Sequence, residues 1–258
     1  MRQLLLSLLT AGLVVGLAHG EDALSPRRTA SEAFDDGRYA EAARIAVVAD
    51  TADAYALAAR AVLAEAMCAG VQPSDEVLMR AEALAGLALE RDPHHVEGRL
   101  QLAIALSLRV RPMSKLEAWR TGLGEEARDL AESVIMDEPA NAYAHGFLAV
   151  WHVEVVRRGG GFGASMMGAS MEDAFMHYQL AAALAPDDAG LHWQMARALA
   201  ALDPVEYREE IDTALARAIA ADDTTALQRV MVARAWLLSD ALITQDSEMV
   251  EALAAGLL

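Results

Sequence analysis

The stretch Ala174-Phe175-Met176-His177-Tyr178-Gln179-Leu180-Ala181-Ala182-Ala183-Leu184-Ala185-Pro186, with Met195-Ala196 beyond it, decides how the rest of the chain is read. Ala174, Tyr178 and Ala181 stand at i, i+4 and i+7, one face of a helix, and Pro186 ends any helix that reaches it. The same frame returns at Ala81, Ala85, Ala88 and Pro93, and again at Ala127, Ala131, Val134 and Pro139. Two copies keep it without proline: Ala42, Ala46, Ala49, Ala54 and Ala214, Ala218, Ala221, Ala226. Alanine makes up roughly a fifth of the 258 residues, so alanine matches need an independent check. That check lies nine and ten residues past the proline position, where the chain reads Leu63-Ala64, Leu102-Ala103, Leu148-Ala149 and Met195-Ala196.

A large apolar residue followed by alanine, then a helix carrying Ala, a bulky residue and Ala, then a proline, resembles the tetratricopeptide repeat. Gly37-Arg38-Tyr39, just ahead of Ala42, is similar to the turn between that family's two helices. The physics agrees with the likeness. Small residues at Ala64, Ala103, Ala149 and Ala196 let paired helices approach, and no pair buries its apolar face alone, so pairs must stack. The expected fold is all-α, a right-handed superhelix of stacked helix-turn-helix units, with residues 21–258 as one solenoid.

The repeats are long. Pro-equivalent positions 54, 93, 139, 186 and 226 are 39, 46, 47 and 40 residues apart, against about 34 in the family. The excess falls between the first and second helix of each pair, so insertions share one edge. Residues 109–124 form the first long insertion, with Arg109, Arg111, Lys115, Trp119 and Arg120 as a basic patch. The second, residues 157–171, runs from Arg157-Arg158 into Gly159-Gly160-Gly161-Phe162-Gly163 and on to Met166, Met167 and Met171. Helices are expected to overrun here and break at the glycines, leaving a solvent-edge loop.

Arg2, an uncharged Leu-rich run from Gln3 to Ala18 and the small residues Ala18 and Gly20 read as a secretory signal over residues 1–20, cut before Glu21. The apolar run, about 22 Å as a helix, is short for a ~30 Å bilayer core, and an uncleaved anchor is the weaker alternative. No later stretch reaches 18 residues without a charge, so no transmembrane span is expected after cleavage. The chain carries 21 basic and 38 acidic residues, a net charge of −17 that becomes −18 without the leader. Nucleic acid and anionic lipid are poor partners for it. Cys68 has no internal partner, so packing must supply the stability. A periplasmic location is expected.

No chemistry-bearing constellation stands out. The glycine run has no preceding strand and no Gly-Lys-Ser/Thr, so a phosphate loop is not expected. Met166, Met167, Met171, Met176 and His177 offer soft ligands for Cu(I), against the plainer reading as apolar helix ends. His145 and His192 hold the same repeat position, and His145 and His152 lie ~10.5 Å apart along a helix, too far for one ion. They are read as satisfied packing histidines. No cofactor, metal site or catalytic set is expected, and an enzyme is the least favoured class.

What the repeat resemblance implies is an inner face lined by the first helices. Glu65, Cys68, Glu97, Leu100, Ile104, Ser107, Tyr143, Gly146, Val150, Val153, Trp193 and Arg197 should point there. Of these, Glu97, Leu100, Ile104, Tyr143, Val150, Trp193 and Arg197 are the candidate groove, mostly apolar with a few polar points, as suits a peptide or an apolar small molecule. The plainer reading, that Val150 and Val153 only pack, stands beside it. At the edge, Arg109, Arg111, Lys115, Trp119, Arg120, Gly159, Gly160 and Phe162 are the second candidate surface.

From Gly146 to Leu238 the chain also resembles the periplasmic tetratricopeptide component associated with TRAP transporters. Gly159-Gly160 through Ala174, His177-Tyr178, Ala181, Leu184, Met195-Ala196 and Ala233-Arg234-Ala235-Trp236-Leu237-Leu238 carry that likeness. It implies a soluble protein that binds a transporter's solute-binding protein, with an apolar ligand pore formed by oligomerisation. Members commonly carry a lipidated cysteine after the signal, which this chain lacks. The stretch from Trp119 to Trp151 is similar to the family named for regulation of microtubule dynamics, which implies only the same repeat architecture. A protein-binding scaffold is therefore favoured, a carrier of small apolar ligands second.

Overall fold

The computed structural model describes residues 26–257, so the expected leader and its cut before Glu21 lie outside the described residues. The helices come in pairs: α1 (Pro26–Asp35) with α2 (Tyr39–Ala46), then α3 (Ala52–Cys68) with α4 (Asp75–Arg91). Next come α5 (Val96–Val110), the short α6 (Lys115–Thr121) and α7 (Leu123–Asp137). α8 (Ala142–Met167) pairs with α9 (Met171–Leu184), and α10 (Ala189–Leu202) with α11 (Arg208–Ala220). α12 (Ala226–Thr244) and α13 (Ser247–Gly256) complete the chain. Among the described residues there is no strand, and no helix is long and apolar enough to cross a membrane.

The ends of the helices follow from local chemistry. α4, α7 and α9 stop two residues before Pro93, Pro139 and Pro186. Ser74, Asn141, Ser170 and Asp188 each accept a backbone N–H at the start of α4, α8, α9 and α10, a cap worth about 1 kcal/mol apiece. Thr225 and Gln228 form a full capping box on α12. The repeated alanines are the packing surface itself: Ala64, Ala103, Ala149 and Ala196 on the first helices, and Ala81, Ala127, Ala174 and Ala214 on the second, are all at 0–1% exposure. With no side chain beyond Cβ, facing backbones can close on each other and exclude water.

Two cores result. One joins α1 to α5 through residues such as Phe34, Tyr39, Leu63, Leu78 and Leu108. The other joins α8 to α13 around Trp193, Met195, Leu199, Ile211 and Leu238. α12 bridges them. It packs on α10 and α11 and also reaches α1 and α3, where the Arg234 guanidinium donates to the Met67 carbonyl at 2.6 Å. At the same closure Gly37, with φ of 81°, lies so near α12 that a Cβ would sit 2.7 Å from Ala226 Cβ.

Candidate functional site

The first helices α3, α5, α8 and α10, the face expected to be the inner one, pack in sequence on one another, and the residues expected to line the groove differ in exposure along them. At the start of α5, Glu97 accepts from Gln101 Nε2 at 3.0 Å and lies 3.8 Å from Arg60. Ile104 is half-buried against the first core, and Tyr143 is 50% exposed with its hydroxyl on Asp188 Oδ2 at 3.1 Å. Leu100 is buried with Val134 and Ala144. Farther along, Val150 is half-buried, while Trp193 and Arg197 are enclosed, Trp193 at 0% exposure.

The chain's own C-terminal segment packs on α10, the helix that carries Trp193. α13 packs mainly against α10 and less against α12, so it does not take the place of an outer second helix. It folds back so that Val250 and Ala254 are buried in the core that holds Val153 and Trp193. Arg111, just past α5, donates from Nη2 to Ala255 O at 2.8 Å and Leu257 O at 3.2 Å, closing the carbonyl end of α13. That is the usual preference of a cation for a helix C-terminus.

Four guanidiniums meet there around one carboxylate. Arg197 donates from Nη1 and Nη2 to Glu154 Oε1, each at 3.1 Å, and Arg157 donates from Nε and Nη2 to Glu154 Oε2 at 2.9 and 2.6 Å. Arg158 instead caps the end of α5, donating to Val110 O at 3.0 Å and Met113 O at 2.6 Å. Burial alone would raise the Glu154 carboxyl, but Arg197, Arg157 and Arg111 hold it down at about 2. Burial, with Arg197 next in weight, brings Arg111 down to about 10. In a strongly acidic protein this is a locally cationic interior. Sequence spacing puts Arg111 at the edge and Arg197 in the groove; the structure brings both to Glu154, which the sequence does not single out. Nothing in the spacing of residues 109–124 points to that convergence.

No family model matches the chain and no curated protein matches it. Among solved structures, a thermophilic TPR protein of Thermus thermophilus superposes with a TM-score of 0.59 at 18% identity, over 82% of this chain and 97% of that chain. The fold is a tetratricopeptide-like superhelix. In that frame the histidines explain themselves. His145 and His192, six residues past Pro139 and Pro186, reach back to those prolines' carbonyls from Nε2 at 3.1 and 2.8 Å. A carbonyl only accepts, so Nε2 carries the proton and Nδ1 is the acceptor. His192 Nδ1 then accepts from the Tyr178 hydroxyl at 2.9 Å, and His145 Nδ1 from His177 Nδ1 at 2.8 Å. These are packing histidines: His145 ties α8 to its partner α9, and His192 ties α10 to the preceding pair. Among the described residues no group of three or more His, Cys, Asp or Glu is placed to hold a metal ion.

The edge departs from the loop expected of it. α8 continues past Arg158, breaks at Gly160 (φ 61°, ψ −171°) and runs on as helix to Met167. Alternating glycines do not prevent helix once its end is anchored: Arg128 Nη1 donates to Met167 O at 2.9 Å. Gly159 is the last residue before the break, and Phe162 beyond it is 80% exposed. The basic patch is also divided. Arg109 is consumed by Asp75 at 3.0 Å and Glu82 at 2.5 Å, and Arg111 turns inward, leaving Lys115, Trp119 and Arg120 on α6 at the surface. A separate pair of clefts, about 320 and 400 Å³, shares Gln179 and Arg217 between α9 and α11, one over Tyr178 and the other over His192. Neither includes Tyr143, Val150 or Trp193.

Proposed function

We propose that the protein is an interaction scaffold that takes a protein partner on the inner face of its superhelix, in the periplasm after loss of residues 1–20. The observation that carries the reading is the open part of that face, where Glu97 and Ile104 on α5 and Tyr143 on α8 remain accessible. A charged residue, an aliphatic residue and an exposed tyrosine on rigid helices are the mixture that peptide-binding grooves use. The leader-like sequence supports the compartment. The likeness of residues 146–238 to TRAP-associated components makes a transporter's solute-binding protein the first partner class to test.

A carrier of small apolar ligands would use open space beside Val150 and Trp193, which is where α13 packs, so the scaffold is the better-supported reading. Capture from a periplasmic extract, followed by native mass spectrometry, tests it. A partner retained by the wild type and lost with Tyr143→Ala and Ile104→Asp, at unchanged helical content, is the expected result. An apolar small molecule retained without any protein partner would replace the scaffold by the carrier.

A further inference from the structure

The inner face is half open and half filled by the chain's own last helix, and the filled half shows what it accepts. α13 presents Val250, Leu253 and Ala254, spaced i, i+3 and i+4, the stripe by which a helix lies in a groove, and the extended Leu257 follows its end. Val250 and Ala254 are buried, Leu253 and Leu257 half-buried, and Glu248 faces solvent. Its contact with α10 exceeds that with α12, although α12 is its neighbour in sequence. Only Gln245 and Asp246 separate the two helices. The far end is gripped by Arg111 through two carbonyls, backed by the surplus of positive charge from Arg157, Arg158 and Arg197 over Glu154.

We propose that this half of the groove is a receptor for a short amphipathic helix, and that α13 is its resident occupant, displaced when a partner helix of the same pattern binds. The inference rests on the reading of the inner face as the partner surface, and it names the partner's chemistry. Small apolar residues fill the contact with α10, and the carbonyl end of the helix lies over Arg111. Two buried side chains are a small anchor for a helix, which places α13 among the segments that open locally before the rest of a fold does.

The test uses the full chain with Val250→Asp and Ala254→Asp, and a fluorescein-labelled, C-terminally amidated peptide of residues 246–257 as the probe. The double variant should keep its helical content apart from α13 and bind the peptide at least tenfold more tightly than the wild type does. Adding Arg111→Gln to it should reduce that binding tenfold or more. A folded double variant that ignores the peptide, or equal binding to both proteins, overturns the proposal.

Should the double variant fail to fold, amide exchange in the wild type decides. Protection in α13 at least a hundredfold below that in α10 supports displacement, and equal protection overturns it. Partner capture that falls with Tyr143→Ala yet is indifferent to a folded α13 double variant also overturns it while leaving the scaffold standing. Peptide binding that behaves as expected, with no partner captured from the extract, supports the receptor and removes the scaffold.

Discussion

The two halves of the inner face are built from the same repeat, yet they behave as different materials. Glu97 and Ile104 on α5 and Tyr143 at the start of α8 keep access to solvent, while Val153 in the middle of α8 and Trp193 and Arg197 on α10 have become core. Repeat register places all six on first helices, so register does not decide exposure. What sets α10 apart is a segment some sixty residues farther along the chain, α13, which packs on it.

The largest way to break this contrast is to remove Trp193. Trp193→Ala should cost about 3–5 kcal/mol, a drop of roughly 10 °C in thermal midpoint for a chain of this size. Calorimetry of this variant beside Tyr143→Ala, expected to cost under about 1 kcal/mol, sets the two halves against each other; equal losses would show both to be core.

Glu154→Gln comes next. It leaves Arg157 and Arg197 without the carboxylate they share and should cost about 3 kcal/mol at neutral pH. Because the folded-state pKa of Glu154 is held at about 2, below the ordinary 4.5, its contribution is complete above pH 4.5 and is lost as the pH falls toward 2. Urea unfolding of wild type and variant should therefore converge across that window.

A smaller effect belongs to His177, which joins α9 to α8 beneath both halves. Burial, then the neighbouring His145 and His152, depress it to about 4 from 6.5. The unfolded chain takes the proton first, so wild-type stability should fall as the pH drops from 6.5 to 4. His177 is half-exposed, and solvent screening holds the loss to about 1 kcal/mol. His177→Gln should flatten that part of the profile, read by urea midpoints at half-unit steps.

The smallest effect on stability and the largest on capture is expected at Tyr143, on the open half. Tyr143→Ala should leave the unfolding midpoint within about 3 °C while reducing partner retention severalfold in a pull-down. A variant that captures as the wild type does would shift the binding surface toward Trp119 and Phe162.

The repeat was legible because its signals are local. A proline two residues past three of the second helices and an alanine at each close approach act within one pair, and α4, α7 and α9 end accordingly. The state of the groove was not legible, because it depends on contacts between segments far apart. Val250, Leu253, Ala254 and Leu257 announce an amphipathic helix but not the surface it will meet.

Arg109 and Arg111 show the same limit over two residues. The end of α5 at Val110 sends one to Asp75 and Glu82 and the other to the carbonyls of α13. A charge pattern counts both alike.

The bond from Arg234 to Met67 and the approach of Gly37 to Ala226 make the array a closed hoop. Open arrays gain or lose units and flex like springs, since each unit touches only its neighbours. A hoop has a set circumference: one unit more or fewer would part α12 from α1 and α3. This chain is therefore expected to tolerate length changes within a unit, as at residues 109–124 and 157–171, but not a change in the number of units. Its diameter, and so the gauge of whatever lies inside it, is fixed by that count.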